Sequence, residues 1–164
     1  MSFSPYRKSA LAAATLLTLT VGSANAACTA SPADNEAAIR AALSSYNDAL
    51  NASSTEAVMP LYTDDGVFMP PYSQSAVGKG AVRQAYDAVF KAIALNVKFT
   101  IVELVEMSPE WAYVRTNSAG TNKVNATGTM SAEGNQELFV FHKAEDCKWK
   151  IARYSFSPTN PPKR

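Results

Sequence analysis

At 164 residues the chain is long enough for one domain with a full core and too short for two well-buried ones. Its 47% hydrophobic and 18% charged composition argues against disorder, collagen-like sequence and a multi-span membrane protein. A net charge of +1 leaves no basic surplus for a phosphate backbone, and a single histidine (His142) with two cysteines makes a His/Cys metal cage or a Cys–His nucleophile pair improbable.

Tyr6-Arg7-Lys8 precedes an uncharged apolar run from Ala10 to Val21, and Ala24-x-Ala26 supplies the small residues a signal peptidase needs. Basic start, short apolar run and small-residue end together predict a secretory signal over residues 1–26, too short to span a bilayer comfortably. Cleavage after Ala26 removes Arg7 and Lys8 and no acid, so the mature protein is expected to be near neutral, exported to the periplasm or medium, and free of the membrane. Export makes Cys28 and Cys147 candidates for a disulfide. Such a bridge is worth at most ~4–5 kcal/mol in the chain-entropy model. Free or intermolecular thiols, and lipidation of Cys28, are the alternatives.

After a linker over residues 27–33, Ile39, Leu43, Tyr46 and Leu50 recur at helical steps and predict an amphipathic helix from Asp34, its cap, to Leu50. Ser53-Ser54 opens a short helix through Ala57, Val58 and Leu61. Asp64-Asp65-Gly66 is read as a turn, with a short strand Val67-Phe68-Met69 stopped by Pro70-Pro71. Gly78 and Gly80 open a third helix carrying Val82, Tyr86, Val89, Phe90 and Ile93. Strands follow at Val97–Met107, Trp111–Thr121, Gln136–Lys143 and Trp149–Phe156, the last two forming a hairpin about Glu145–Lys148. Residues 158–164 read as a loose tail. Helices first and antiparallel strands after predict an α+β domain over residues 34–157, with helices on one face of a curved sheet.

Centring the last hairpin between Asp146 and Cys147 sets Phe141 opposite Ala152, Phe139 opposite Tyr154 and Glu137 opposite Phe156. Centring the preceding one near Ala126 sets Arg115 opposite Glu137, Tyr113 opposite Phe139 and Trp111 opposite Phe141. One face then carries Trp111, Tyr113, Arg115, Glu137, Phe139, Phe141, Tyr154 and Phe156; the other carries Val114, Leu138, Val140, His142, Trp149, Ile151 and Arg153. A one-residue slip exchanges the faces. Both are apolar enough to be covered, one by the helices and the other by a second subunit.

Four segments carry a resemblance: Tyr46–Ala52, Leu61–Phe68, Gly78-Lys79-Gly80 before a helix, and Glu137–Phe141 with Asp146–Tyr154. Together they resemble the NTF2-like superfamily, including SnoaL-like cyclases, ketosteroid isomerases and SgcJ/EcaC-type proteins, over nearly all of residues 34–157. The resemblance implies a cone-shaped α+β barrel, three N-terminal helices on a curved, mainly antiparallel sheet, with a pocket at its mouth and a homodimer through the sheet's outer face. It places Tyr46 where the isomerases keep an oxyanion-binding tyrosine and Glu137 where they keep a protonated carboxylic acid. Pro70 stands where they keep the general-base aspartate, so the base is missing.

Tyr46 and Glu137 are therefore the catalytic candidates, and Tyr62, Phe68, Met69, Trp111, Tyr113, Arg115, Phe139 and Tyr154 the candidate pocket walls. Each has a plain structural reading as well: Tyr46 as a core tyrosine, Glu137 as the ion-pair partner of Arg115, the aromatics as core. An ion pair would keep Glu137 charged and unable to donate to an oxyanion; an Arg115 pointing elsewhere favours catalysis. Asn51-Ala52-Ser53 and Asn125-Ala126-Thr127 are glycosylation sequons for a eukaryotic host. The expectation is an exported homodimer binding a small, largely apolar molecule, without cofactor or nucleic acid, with acid–base chemistry on an enolisable ligand open. A non-catalytic assembly module with a filled core is the alternative.

Overall fold

The structure is a computed structural model that describes residues 28–160, so the signal segment assigned to residues 1–26 and the end of the tail lie outside the described residues. Helix α1 (Pro32–Asn51) starts at Ser31, whose Oγ accepts from the Asp34 N–H while the Asp34 carboxylate accepts from Ser31. This capping box corrects the expected cap: Asp34 is three residues inside the helix, and Pro32 at its first turn sacrifices an N–H with no helical partner. Ile39, Leu43, Tyr46 and Leu50 are all buried, as their spacing predicts. Helix α2 (Thr55–Val58), capped by Ser54, runs into one 3₁₀ turn, Met59–Leu61.

Strand β1 (Tyr62–Met69) is longer than expected, because Asp64-Asp65-Gly66 is not a turn but a bulge within it. The pairing jumps there from Tyr62 opposite Ile151 to Val67 opposite Arg153. A two-residue β2 (Ala76–Val77), which the sequence did not reveal, and α3 (Lys79–Ala92) follow. Ile93, assigned above to that helix, is extended and opens β3 (Ile93–Ser108). The remaining strands are β4 (Trp111–Val124), β5 (Met130–Lys143) and β6 (Trp149–Pro158). The sheet order is β2-β1-β6-β5-β4-β3, antiparallel except for the β1–β6 pair. The helices pack on one face of this curved, unclosed six-stranded sheet.

Two pairings differ from expectation. The β4–β5 loop spans residues 125–129, with Gly128 at φ +69° and the Val124 N–H bonded to Thr129 O at 2.8 Å. That centres the hairpin after Ala126 and sets Thr116, not Arg115, opposite Glu137. Every β4 side chain thereby changes face. Ala112, Val114, Thr116 and Ser118 are buried against the core, whereas Trp111, Tyr113 and Arg115 lie on the outer face. In the last hairpin Phe139 opposite Tyr154 and Glu137 opposite Phe156 stand as expected. A bulge between Val140 and Phe141 then sets Phe141 opposite Ile151 rather than Ala152. It turns Trp149 and Ile151, placed above on the outer face, into the core.

Polar groups lock the layers. Asn47 and Asn51 of α1 bond the backbone of Val97 and Phe99 on edge strand β3 through four hydrogen bonds of 2.8–3.1 Å. Asn125 Nδ2 donates to Phe90 O and Lys91 O at the end of α3. Both sequon asparagines thus commit their amides to the fold. Cys28 and Cys147 form a disulfide that ties the chain ahead of α1 to the β5–β6 turn. Of the tail, Thr159 N donates to Gly134 O and Asn160 Nδ2 to Ala132 O, both on β5.

Candidate functional site

Register builds the site's floor. Phe68 on β1 sits opposite Tyr154 on β6, and Tyr154 opposite Phe139 on β5, so three rings on adjacent strands stand in a row. They stack nearly parallel, 5.6 Å and 4.2 Å between centroids. Phe156 extends the stack, and Tyr86 of α3 closes on Phe68 at 4.8 Å. Tyr46 of α1 meets Tyr86, Phe139 and Tyr154 edge-on, the geometry ring quadrupoles favour.

Above these rings lies a cavity of about 300 Å³ between α1, α3, β3 and the β5–β6 pair. Tyr46, Phe68, Tyr86, Phe99, Tyr154 and Phe156 supply its apolar wall, and Ser118, Glu133, Asn135 and Glu137 a polar strip. Pro70, Pro71 and the almost fully exposed Tyr72 form part of its lining, so the cavity reaches the surface beside the end of β1. Pro70, a proline, offers no ionisable group there.

The predicted residues divide accordingly. Tyr46, Glu137, Phe68 and Tyr154 line the cavity. Phe139 and Tyr62 are buried beneath it as support. Met69 ends β1 outside the lining, and Trp111, Tyr113 and Arg115 are on the opposite sheet face because of the β4 register. Tyr86, Phe156, Ser118, Glu133 and Asn135 were not foreseen. Continuing the two-residue alternation back from Glu137 would have reached Asn135 and Glu133, had the strand not been started at Gln136.

Tyr46 Oη and Tyr62 Oη lie 2.6 Å and 2.9 Å from Tyr86 Oη. Three hydroxyls making two mutual hydrogen bonds leave one hydrogen over, on whichever of the three does not donate within the set. Tyr62 is behind the wall, whereas Tyr46 lines the cavity. Where Tyr62 donates to Tyr86 and Tyr86 to Tyr46, the free phenolic hydrogen is that of Tyr46, and Tyr46 and Tyr86 both line the cavity. Burial raises the pKa of all three, so they remain donors.

Glu137 is only 5% exposed. Thr116 Oγ1 donates to its Oε2, while Oε1 is buried without a partner. No lysine or arginine among the described residues pairs with it; Arg115 instead bonds Glu103 at 3.2 Å, joined there by Tyr113. Burial pushes the Glu137 carboxyl above the usual carboxylate range, and nearby Glu133 adds to this, against the opposing pull of the Ser118 and Thr116 hydroxyls. The group is thus set to hold a proton more firmly than a surface glutamate. It can act as an O–H donor in the cavity that Tyr46 also lines.

Other ionisable side chains are accounted for elsewhere. Asp64 pairs with Lys79 at 2.9 Å and Asp65 with Arg153 at 3.4 Å, both exposed, and each carboxyl is held below its usual value, chiefly by hydrogen bonds from Lys79 and Thr63 respectively. His142 stacks on Trp111 at 4.3 Å on the outer face. Among the described residues no group of three His, Cys, Asp or Glu is placed to hold a metal ion.

Comparison with known proteins agrees with this fold. No curated protein matches the chain. A ketosteroid isomerase-like protein from Erwinia carotovora atroseptica is 38% identical, with a TM-score of 0.73 over 76% of this chain and 96% of that one. Two more distant structures share the fold: a protein proposed to be a scytalone dehydratase from Novosphingobium aromaticivorans (17% identity, TM-score 0.69, 78% and 86% covered) and an NTF2-like superfamily protein from Salmonella enterica (12%, 0.70, 80% and 95%). The SnoaL-like domain matches residues 43–153, and the chain belongs to that family, within the NTF2-like, ketosteroid isomerase-like superfamily.

Proposed function

We propose that the chain binds a flat, largely apolar molecule carrying a carbonyl, and that Tyr46 and Glu137 donate hydrogen bonds to its oxygen as negative charge develops there. The carrying observation is Glu137: a buried carboxyl without a cation, in an aromatic cavity that the hydrogen-bonded Tyr46 and Tyr86 also line. Two donors fixed in a low-dielectric pocket stabilise an enolate more than the ketone it comes from, which is how such a site promotes isomerase- or dehydratase-like chemistry. A cavity of about 300 Å³ weighs against a merely filled core.

Two further expectations stand as proposals. Export is supported by the signal-like leader and by the Cys28–Cys147 disulfide, a bond suited to an oxidising compartment. Homodimer formation through the outer sheet face is supported by the exposed apolar side chains of Leu138, Met107 and Trp111.

Fluorescence titration with β-naphthol, whose oxygen and fused rings mimic an enolised ketone, tests the binding reading. Wild-type protein should bind it, and Tyr46→Phe should weaken it about tenfold, the worth of one buried hydrogen bond. Absence of binding, or an affinity indifferent to both Tyr46→Phe and Glu137→Leu, refutes the reading.

A further inference from the structure

Away from the cavity, a buried lysine faces an amide rather than an acid. Lys143 ends β5 and Trp149 opens β6, and the two are cross-strand partners. With Asn35 of α1 they form a cluster in which Lys143, Trp149 and Asn35 are 6%, 4% and 3% exposed. Lys143 Nζ donates to Asn35 Oδ1 at 2.6 Å and lies 5.0 Å over the Trp149 ring. Trp149 Nε1 donates to the same oxygen at 3.2 Å, and Asn35 Nδ2 donates to Oε1 of half-buried Glu106 on β3 at 2.8 Å. Among the described residues no carboxylate forms a salt bridge with Lys143. An ammonium there has one of its three donors matched and no counter-ion, a costly state away from water. The Asn35 amide is thus held at both ends, by an amine nitrogen and an indole N–H at its oxygen and by a carboxylate at its nitrogen. A carbonyl bond of about 1.23 Å bounds the distance from Nζ to Cγ at ~3.8 Å, close to the ~3–3.5 Å of a near-attack contact.

We propose that Lys143 and Asn35 join in an intramolecular isopeptide bond, made by the folded chain itself. In its amine form Lys143 Nζ bonds to Asn35 Cγ, and the carbonyl π pair moves to Oδ1. The Trp149 Nε1–H holds the negative charge that collects there, the task of an oxyanion-hole donor. Glu106 takes the proton that Nζ sheds and passes it to Nδ2, work for which a carboxylate at the leaving nitrogen is placed. The pair on Oδ1 returns, the Cγ–Nδ2 bond breaks, and ammonia leaves. An amine and a primary amide become a secondary amide and ammonia, with nothing oxidised or reduced and no other reactant. The product is neutral, so the bond removes a charge that the buried site does not balance. It fastens the start of α1 to the end of β5 across 108 positions of sequence. The Cys28–Cys147 disulfide fastens the same two regions, and the two links together would clamp α1 to the β5–β6 hairpin.

The test is mass spectrometry of the whole protein, reduced and alkylated first because the disulfide would join the same two tryptic peptides. The intact wild-type chain should be lighter than its sequence by about 17 Da, one ammonia. After trypsin, the peptide ending at Arg40 should be found joined to the peptide that runs uncut through Lys143. Lys143→Met keeps an unbranched stem without the nucleophile and should show neither signature. Glu106→Gln still accepts from Asn35 Nδ2 but cannot carry the proton, and most of its chains should stay unjoined. Near-UV circular dichroism of the aromatic stack shows whether each variant is packed. A packed wild-type protein with the full sequence mass, or one that has lost ammonia without the joined peptide pair, overturns the bond. A packed Glu106→Gln joined as completely as wild type overturns the relay through Glu106.

Discussion

Substituting Glu137 by Gln separates the two chemical states of that side chain without any ligand. Burial raises the folded-state pKa above the unfolded value of about 4.3, so folding takes up a proton at intermediate pH. The stability tied to that proton is fully present below the unfolded pKa and is lost as pH rises through the folded one. In E137Q the new side chain is isosteric and does not titrate: its amide oxygen can accept from Thr116 where Oε2 does now. The wild type should therefore lose stability relative to E137Q by up to ~1.4 kcal/mol for each pH unit between the two pKa values, and then level off. The two proteins should be closely matched near pH 4, with E137Q the more stable at pH 8. Urea denaturation from pH 4 to 9, read by Trp fluorescence, supplies both curves, and their difference cancels the titrating groups that do not sense the Glu137 charge. An ion-paired Glu137 predicts the reverse: removing one partner of a buried pair costs about 3–5 kcal/mol. The wild type would then gain on E137Q as pH rises. A flat or rising difference refutes the neutral-acid reading and, with it, the donor role of Glu137.

Four other perturbations test the frame. Gly120→Ala places a Cβ 2.0 Å from Asn96 O and 2.8 Å from Val97 Cα, backbone atoms that cannot swing aside, so thermal melts should show a loss of about 3 kcal/mol. Gly80→Ala, in the first turn of α3 with nothing within 4 Å, should cost nothing; equal effects at both sites would refute the close approach of β3 and β4. Converting Cys28 and Cys147 to Ser removes a cross-link whose ceiling is ~5 kcal/mol, but it also frees the short stretch ahead of α1, about 1–2 kcal/mol per residue. A net loss near 1–2 kcal/mol in urea is expected, and loss of the full ceiling would contradict that offset. Leu138→Glu on the outer sheet face should convert a dimer to a monomer in size-exclusion chromatography, and a monomeric wild type would sink the homodimer proposal.

The helices were legible because each buries one face: the three- and four-residue steps of Ile39, Leu43, Tyr46 and Leu50 leave a single solution for α1. The β4 register was not, because both of its alternating sets could be core. Trp111 and Tyr113 offer more apolar area than Ala112 and Val114, and area alone favours burying them. Space decides otherwise. Phe68, Tyr154, Phe139 and Phe156 already fill the inner face of the neighbouring strands, so the strand beside them must bring small side chains, and Ala112, Val114, Thr116 and Ser118 do so. The five-residue loop at 125–129 delivers that register, and a loop one residue different would set Arg115 opposite Glu137. Small side chains beside large rings leave the cavity open, and the same slip takes the Arg115 cation, which could have neutralised Glu137, to the far side of the sheet. The chemistry of the pocket therefore follows from the turn that sets the strand pairing as much as from the residues that line it.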